Sequence, residues 1–166
     1  MFLNDIYFKF IMLITGLLPD IMHVLKLRGF LLRPCFKKCG TNLQVTKDVR
    51  LYNCGNIEIG NDVFFSAGVW LLASARFIIE DEVMFGPYCV ALTGDHTKVD
   101  GSFRFGKAKR ESISIGRGSW LGAHCVVTKG VTIGSGCVIG ACSVVTKNIE
   151  NDVLAAGSPA KKIKNI

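Results

Sequence analysis

Large apolar residues recur every six positions through residues 39–96 and 115–150 of this chain. In the second stretch they stand at Ile115 and Leu121, and the series restarts eighteen residues later at Ile133. A small or β-branched residue lies four places after most of them. A fixed short period is typical of a solenoid, in which each repeat packs on its neighbours. The pattern predicts an all-β solenoid with three short parallel strands in every coil.

The first stretch follows the same rule with a longer period. Its period is twenty, because the units that begin at Leu51 and Leu71 each contain eight residues. We expect the extra pairs, Ile57-Glu58 and Phe77-Ile78, to form bulges at the corners. Together the two stretches predict about five coils, which at a strand spacing of ~4.8 Å would build a prism roughly 24 Å tall.

The position within the six-residue unit governs the choice of residue. First places take large apolar residues, which face the interior and stack from coil to coil. Second places are often glycine, which reaches turn conformations that other residues adopt only with strain. Fifth places are small, and Cys89, Cys125 and Cys137 occupy three of them. Since the N-terminus shows no export-type cleavage site, we interpret the cysteines as reduced packing residues of a cytoplasmic protein.

The N-terminal segment, residues 1–38, is apolar and basic. Its stretch 8–18 is too short to span a bilayer, which needs ~20 residues. After Pro19, Asp20 is the predicted N-cap of a second helix that reaches Leu32. Two interpretations stay open. The helices cover the end of the prism or dock on a neighbouring subunit, or they form a basic amphipathic hairpin on the inner face of the membrane.

The repeat is interrupted once, at residues 97–114, by a polar and basic loop. Loops longer than ~12–15 residues are uncommon in compact domains unless they serve a function. His96 stands where the chain leaves the prism, at a corner and not in the interior. Because histidine changes its charge near neutral pH, it suits proton removal there. His96 is therefore the candidate catalytic base.

The chain has 166 residues, enough for one domain with a continuous core. We predict a helical segment at 1–38 and a β-solenoid domain at 39–166, which contains the loop 97–114 and a C-terminal tail at 151–166. The formal net charge is +7, and the helical segment, the loop and the tail carry most of the excess. No aromatic-basic platform or recognition helix accompanies it, so nucleic acid is not a predicted partner. A phosphate-rich small molecule or an anionic membrane surface fits these clusters better.

Three features together resemble the hexapeptide-repeat acyltransferases. These are the prism repeat, the histidine before an outward loop, and the sequence AAGSPAK at residues 155–161. Residues 115–147 are most similar to the maltose, galactoside and colanic-acid O-acetyltransferase branch. The resemblance covers roughly residues 40–166. It implies a left-handed parallel β-helix, a homotrimer, acetyl-CoA as the acyl-donor substrate and a carbohydrate acceptor.

The same resemblance implies roles for individual residues. His96 would take the proton of the acceptor hydroxyl, and the backbone amide of Ala123 would stabilise the oxyanion. Ser66 stands where galactoside acetyltransferases have an acceptor-contacting asparagine, and Arg104 in the basic loop is the second predicted acceptor contact. The predicted contacts to the coenzyme are Trp120, Ala123, Ala141, Thr146, Lys147, Lys161 and Lys164.

Some residues depart from the galactoside pattern. Ser66 replaces the asparagine, and Thr97 follows His96 where those enzymes have proline. The resemblance therefore implies acetyl transfer without naming the acceptor. The apolar, basic N-terminus favours glycans built on lipid carriers at the membrane, such as units of surface polysaccharides.

Three alternatives stay open. N-acetyl transfer to an amino sugar would use the same fold and the same histidine. A γ-type carbonic anhydrase needs three histidine ligands for zinc, and the chain has only His23, His96 and His124, the first outside the repeat. No metal is therefore expected. A non-catalytic scaffold would not bind coenzyme A.

Overall fold

Three parallel β-sheets, which we call A, B and C, form a triangular prism in the computed structural model, which describes residues 2–166. Sheet A contains the strands Lys38–Cys39, Ile57–Ile59, Phe77–Ile79, Ile113–Ile115 and Thr132–Ile133. Sheet B contains Gln44–Val45, Phe64–Phe65, Met84–Phe85, Trp120–Leu121, Val138–Ile139 and Val153–Ala156. Sheet C contains Arg50–Tyr52, Trp70–Leu72, Val90–Leu92, Val126–Val127 and Val144–Val145. The chain passes through A, B and C in turn, which gives five complete coils, numbered 1 to 5, and a partial sixth. The predicted parallel β-solenoid is confirmed.

First-place residues fill the interior of the prism. Parallel pairing sets Ile79 beside Ile115 and Ile115 beside Ile133, and all three are buried. On sheet B the rings of Phe65 and Phe85 lie 5.1 Å apart between centroids. Burying a side chain of this size contributes about 1.5–3 kcal/mol relative to leaving it exposed. The stacked rows therefore fix the register of the coils as well as stabilising them.

Glycine at the second place allows neighbouring coils to approach closely. A Cβ on Gly116 would lie 2.5 Å from the carbonyl carbon of Gly134 in the next coil. Positive φ angles belong instead to the fourth place, at Gly118 (φ 69°) and, with a side chain, at His124 (φ 58°). The prediction that second-place glycines supply turn conformations is wrong. Steric contact between the coils selects them.

Fifth-place side chains do more than fill a narrow space. Four of them donate a hydrogen bond to the second-place carbonyl of the next coil, as Ser119 Oγ does to Gly134 O at 2.7 Å and Cys125 Sγ to Gly140 O at 3.1 Å. These bonds satisfy carbonyl groups that are otherwise costly to bury. All seven cysteines are free thiols, and the five buried ones are packing residues as predicted, whereas Cys39 is half-buried and Cys142 is exposed.

The two long units accommodate their extra residues at a corner. Ile57-Glu58 and Phe77-Ile78 lie in three-residue strands of sheet A and pair in register, so they are not bulges as predicted. The additional length forms the 3₁₀ turn Cys54–Asn56 and the corresponding corner at 73–76. A period alone does not tell which residues of an eight-residue unit turn.

Two helices, α1 (Phe2–Thr15) and α2 (Met22–Leu32), cover the coil-1 end of the prism, and a 3₁₀ turn, Arg33–Cys35, joins α2 to sheet A. Phe8 and Leu32 belong to the same buried cluster as the prism interior. Of the two interpretations of segment 1–38, the structure therefore supports a cover for the prism; Met1 lies outside the described residues. Within residues 2–166, neither helix has the length and apolar character needed to cross a bilayer.

Arg28 of α2 is completely buried and anchors this cap. Its guanidinium donates to Val45 O at 2.7 Å and to Asp20 Oδ1 at 2.8 Å. Asp20 also accepts from the backbone amide of Lys47 at 3.1 Å. The N-cap residue of α2 is Ile21, which makes no side-chain capping bond. The predicted N-cap role of Asp20 is wrong, because the carboxylate serves the buried arginine instead.

The excursion from the prism is an arm whose base is the antiparallel pair Gly94–Asp95 and Lys109–Arg110. Sheet A resumes at Ile113, so the arm spans 94–112 and not 97–114. The predicted tail is also structured. The strand Lys161–Asn165 folds back antiparallel on the last strand of sheet B.

Candidate active site

His96 follows directly on the first strand of the arm base, at the corner between sheets C and A of coil 3. Its side chain is exposed, and its backbone amide donates to Asp95 Oδ1 at 2.8 Å. Beside it, Thr97 Oγ1 donates to Lys107 O at 2.6 Å and holds the two sides of the arm together. The imidazole thus stands on an ordered backbone while its ring nitrogens remain accessible to a ligand.

A charged cluster that the sequence analysis missed lies under the arm. Lys129 of coil 4 has a side chain only 19% exposed, and its Nζ lies 3.8 Å from Asp95 Oδ2 and 3.7 Å from Glu111 Oε1. Lys109 Nζ lies 2.8 Å from the same Glu111 oxygen. The hydrogen bond from Lys109 and the charges of both lysines lower the pKa of Glu111. The cluster ties both strands of the arm base to the prism next to His96. Its one signal in the sequence is a lysine at a third place of coil 4, at the first corner between sheets C and A after the arm.

Open backbone amides mark the corner between sheets B and C. Within residues 2–166, the N–H groups of Ala123 in coil 4 and Ala141 in coil 5 have no acceptor. The two turns are in register, since Cys142 N donates to Ala123 O at 2.8 Å. Unpaired N–H groups on an ordered backbone can donate to an oxyanion or to a ligand carbonyl.

Three other predicted coenzyme contacts lie on sheet B. Trp120 projects from its outer face and is half exposed. Lys161 and Lys164 are on the antiparallel edge strand, where neither has an ion-pair partner in the described part of the chain. Their neighbour Lys162 does, because its Nζ lies 3.3 Å from Glu150 Oε2. The two free lysines are available to an anionic ligand.

The remaining predicted residues are spread around the prism. Ser66 lies at the corner between sheets B and C in coil 2, and Thr146 with Lys147 lies at the corner between C and A in coil 5. Arg104 is exposed in the arm, with its guanidinium carbon 5.8 Å from the centre of the Phe105 ring.

One chain does not gather all these residues into one site. His96 lies beyond the C-terminal ends of the strands of sheet C, and Ala123 lies before their N-terminal ends. No contact joins the two residues in residues 2–166. Between them, beside the outer face of sheet C, lies a cavity of about 270 Å³. Its lining consists of Leu92, Gly94, Asp95, Val126, Val127, Thr128 and Lys129.

The three histidines do not form a metal site. His124 stacks on Tyr88 with ring centroids 5.1 Å apart, His23 lies on α2, and His96 is at the arm. In the described residues, no three His, Cys, Asp or Glu side chains are placed to hold a metal ion. This donor set does not fit the three-histidine zinc site of a γ-type carbonic anhydrase.

Comparisons with known proteins decide the family. Residues 112–147 match the model of the bacterial transferase hexapeptide (six repeats). Over 139 residues the chain is 32% identical to galactoside O-acetyltransferase of Escherichia coli (strain K12). This alignment covers 84% of this chain and 68% of that protein. The chain belongs to the hexapeptide-repeat acetyltransferases. The resemblance found in the sequence is confirmed, and the similarity to an acetyltransferase favours the predicted enzyme over the alternative of a non-catalytic scaffold.

Solved structures of this acetyltransferase family share the whole architecture. A galactoside acetyltransferase in complex with coenzyme A is 29% identical, with a TM-score of 0.86, and covers 98% of this chain and 80% of that one. A hexapeptide-repeat acetyltransferase of Vibrio cholerae O1 biovar eltor, complexed with acetyl coenzyme A, is 25% identical with a TM-score of 0.84. It covers 98% of this chain and 86% of that one. The helical cap is therefore aligned along with the prism.

Proposed function

We propose that this acetyltransferase moves an acetyl group from acetyl-CoA to a hydroxyl group of a sugar. The observation that carries the proposal is the 32% identity to galactoside O-acetyltransferase over 84% of the chain. The coenzyme complexes of the similar structures support acetyl-CoA as the donor. The exposed histidine and the open amides supply the two groups that the reaction requires.

In the proposed reaction, His96 takes the proton of the acceptor hydroxyl as its oxygen attacks the thioester carbonyl carbon. The N–H of Ala123 donates to the oxyanion that forms on that carbonyl. When the tetrahedral intermediate collapses, the carbon–sulfur bond breaks and the proton passes from His96 to the departing sulfur. The acceptor attacks directly, so no nucleophilic side chain is needed.

The coenzyme is held, in this proposal, along the open corner and the edge of sheet B. Trp120, Ala141, Thr146 and Lys147 contact its length, and Lys161 with Lys164 meets its 3′-phosphate as point charges. The absence of ion-pair partners for the two edge lysines in the described residues supports that role. Ser66 and Arg104 are assigned to the acceptor.

We propose a homotrimer in which the active site is shared between neighbouring chains. His96 and the arm would come from one chain, and the Trp120 side of coils 4 and 5 from the next. The separation of His96 from Ala123 within a single chain supports this arrangement. Light scattering should give about three times the chain mass of 18.1 kDa. Co-refolding His96→Ala with Ala123→Trp should recover some activity, and mixed trimers without activity would contradict a shared site.

The first test is transfer from acetyl-CoA to a panel of neutral and amino sugars. His96→Ala should reduce turnover by ~10²–10⁴-fold while the fold and assembly persist. His23→Ala, which removes an exposed histidine of the cap, is the matched control and should leave turnover unchanged. A His96→Ala rate within threefold of the wild-type rate would remove His96 from the mechanism.

The same panel separates O-acetyl from N-acetyl transfer. An ester product is cleaved by mild base, whereas an amide product survives it. We expect base-labile products. A role in surface polysaccharide biosynthesis and a cytoplasmic location are also proposed, and mass spectrometry of the surface glycan from a deletion strain should show the loss of an acetyl group.

A further inference from the structure

Helix α1 carries an apolar stripe on the side that faces away from the prism. The side chains of this stripe recur at the three- and four-residue spacing of one helix face. Among them, Leu3 is 77% and Leu13 is 75% exposed. Leu17, just beyond the helix, is 94% exposed. The outward stripe consists of Leu3, Ile6, Tyr7, Phe10, Leu13, Ile14 and Leu17.

Apart from Tyr7, whose hydroxyl donates to Leu31 O of α2 at 3.2 Å, the stripe is not needed to hold α1 on the protein. A separate face of the helix does that, through buried Phe8, Ile11 and Thr15. The polar anchors also point inward, since Asn4 Nδ2 donates to Cys35 O at 2.7 Å. Helix α1 is therefore apolar on two sides, and only one of them is covered within the chain.

Helix α2 extends the exposed apolar surface. Met22, Leu27 and Phe30 each expose between 46% and 65% of their area on the outside of the cap. Isolated exposed apolar residues are common on protein surfaces, but a contiguous group is typical of an interaction site. We call the outward stripe and these three residues the cap face.

The carboxylates of the helical cap are bound within the protein, whereas its exposed charges are positive. Residues 2–38 contain two carboxylates, and both are bound to the protein. Asp5 accepts from the backbone amides of Asn53 and Cys54 at 2.9 and 3.0 Å, and Asp20 is paired with buried Arg28.

The exposed charges of the cap are positive. Lys9 and Lys26 lie on α1 and α2 beside the apolar residues, and Arg33 follows α2. No ion pair involves any of these three cations in the described residues. Residues 2–38 thus combine a broad apolar surface with cations and no free carboxylate, while exposed Asp48 of coil 1 borders Lys9 and Leu13 at the edge of the cap, where Lys9 Nζ also lies 5.9 Å from the centre of the Tyr52 ring.

We propose that the cap face binds the surface of an anionic membrane, with α1 lying along the lipid interface. An amphipathic helix binds such an interface through its apolar area and through cations that meet anionic headgroups. A second copy of this chain is a poorer occupant, because a self-contact would bring the cations of both caps together while residues 2–38 of neither copy offer a free carboxylate. This inference is independent of the proposed reaction, since vesicle binding requires no acetyl-CoA.

The test is flotation of the full chain with vesicles of phosphatidylcholine, with and without ~30 mol% phosphatidylglycerol. The wild-type protein should bind the anionic vesicles, and added salt should weaken the binding. Leu13→Gln with Leu17→Gln should reduce binding by at least ~10-fold, because it removes two highly exposed leucines from the C-terminal half of the stripe. Phe103→Gln with Phe105→Gln, two exposed aromatic residues of the arm, is the matched control and should bind as the wild type does.

A second pair of variants tests the charge without altering the apolar surface. Lys9→Gln with Lys26→Gln should weaken binding to anionic vesicles by ~5-fold for each lysine and leave the fold intact. Circular dichroism and transfer to a soluble acceptor should be unchanged in both cap variants. Equal binding by the wild type and the leucine variant would overturn the proposal. So would a leucine variant that dissociates the oligomer in the absence of lipid, since the face would then be an interface between copies of the chain.

Discussion

The corner between sheets A and B and the corner between sheets B and C are built from the same six-residue unit, yet only the first has most of its third-place amides sealed; Asp81 N is the exception among its five complete coils, with no acceptor in residues 2–166. In coils 1, 2 and 5 of the A–B corner, the third-place amide donates to a side-chain oxygen at the third place of the next coil, and in coil 4 Arg117 N donates to Glu80 Oε2. Asn61 Oδ1 accepts from Thr41 N, and Asn151 Oδ1 accepts from Ser135 N, both at 2.9 Å. On the B–C corner, the third places of coils 2 to 5 are Ala67, Pro87, Ala123 and Ala141.

The difference lies in one side chain per coil. Alanine at the third place preserves the turn but offers no side-chain acceptor. The third-place amide of the preceding coil therefore stays open to a ligand. In the first and the last coil, the third-place amides of the B–C corner do have side-chain acceptors. Lys47 N donates to Asp20 Oδ1, and Gly157 N donates to Ser143 Oγ. A structural corner and a candidate binding corner therefore differ in how many of their third-place amides the fold satisfies.

The largest expected effect comes from removing an open amide altogether. Pro87 already occupies the third place of the B–C corner in coil 3, so the backbone there is compatible with proline. Ala123→Pro should keep the fold and lower kcat by ~10²–10³-fold, because one oxyanion donor is lost. Ala67→Pro, at the same place in coil 2, is the control and should retain activity. Steady-state kinetics and thermal unfolding measure both, and a fully active Ala123→Pro enzyme would show that this amide is not the donor.

Closing the open corner should also reduce activity. Ala141→Asn would place an amide oxygen in front of Ala123 N, as Asn151 does for Ser135 N. We expect kcat to fall by up to ~10²-fold, since the donor is already engaged, while thermal stability stays equal or rises slightly. Ala141→Leu is the control for bulk without an acceptor. Equal losses in both variants would attribute the effect to steric hindrance of the coenzyme and not to the captured amide.

Sequence periodicity predicted the prism well because burial imposes it coil by coil. First-place residues such as Ile115 must face the interior wherever the repeat continues, and one chain is enough to see that. It predicted less well wherever a residue's partner lies in another part of the chain. Asp20 looked like a helix cap because its partner, buried Arg28, could not be recognised. Gly116 looked like a turn residue because the nearby backbone belongs to the next coil.

The candidate site was partly accessible to sequence for the same reason. His96 was visible because the repeat breaks beside it. Lys129, which bridges Asp95 and Glu111 under the arm, was not, because the antiparallel base of the arm leaves no periodic signal. The roles of the site residues remain predictions, and the two corners give the means to test them.

A smaller effect is expected at the far end of the proposed coenzyme site. Lys161→Ala with Lys164→Ala should raise the KM for acetyl-CoA by ~10-fold and leave kcat nearly unchanged, because a remote phosphate is bound equally in the ground and transition states. The variant should also discriminate less against dephospho-CoA. Lys162→Ala, which removes the lysine already paired with Glu150, is the control. An unchanged preference between the two coenzymes would show that these lysines do not contact the phosphate.

The smallest effect should come from the sealed corner, and it should fall on stability alone. Asp81 Oδ1 accepts from the backbone amide of Asn61 at 2.6 Å, and this bond lowers the pKa of the carboxyl group. Asp81→Ala should lower the unfolding midpoint at neutral pH by ~2–4 °C without changing kcat, whereas Asp48→Ala, an exposed aspartate outside the A–B corner, should change neither. Because the folded-state pKa is depressed, this stabilisation is complete above pH ~4 and is lost as the pH falls through the folded-state value. The difference between the wild type and Asp81→Ala should therefore narrow in acid. A loss of activity with unchanged stability would mean that the A–B corner also belongs to the active site.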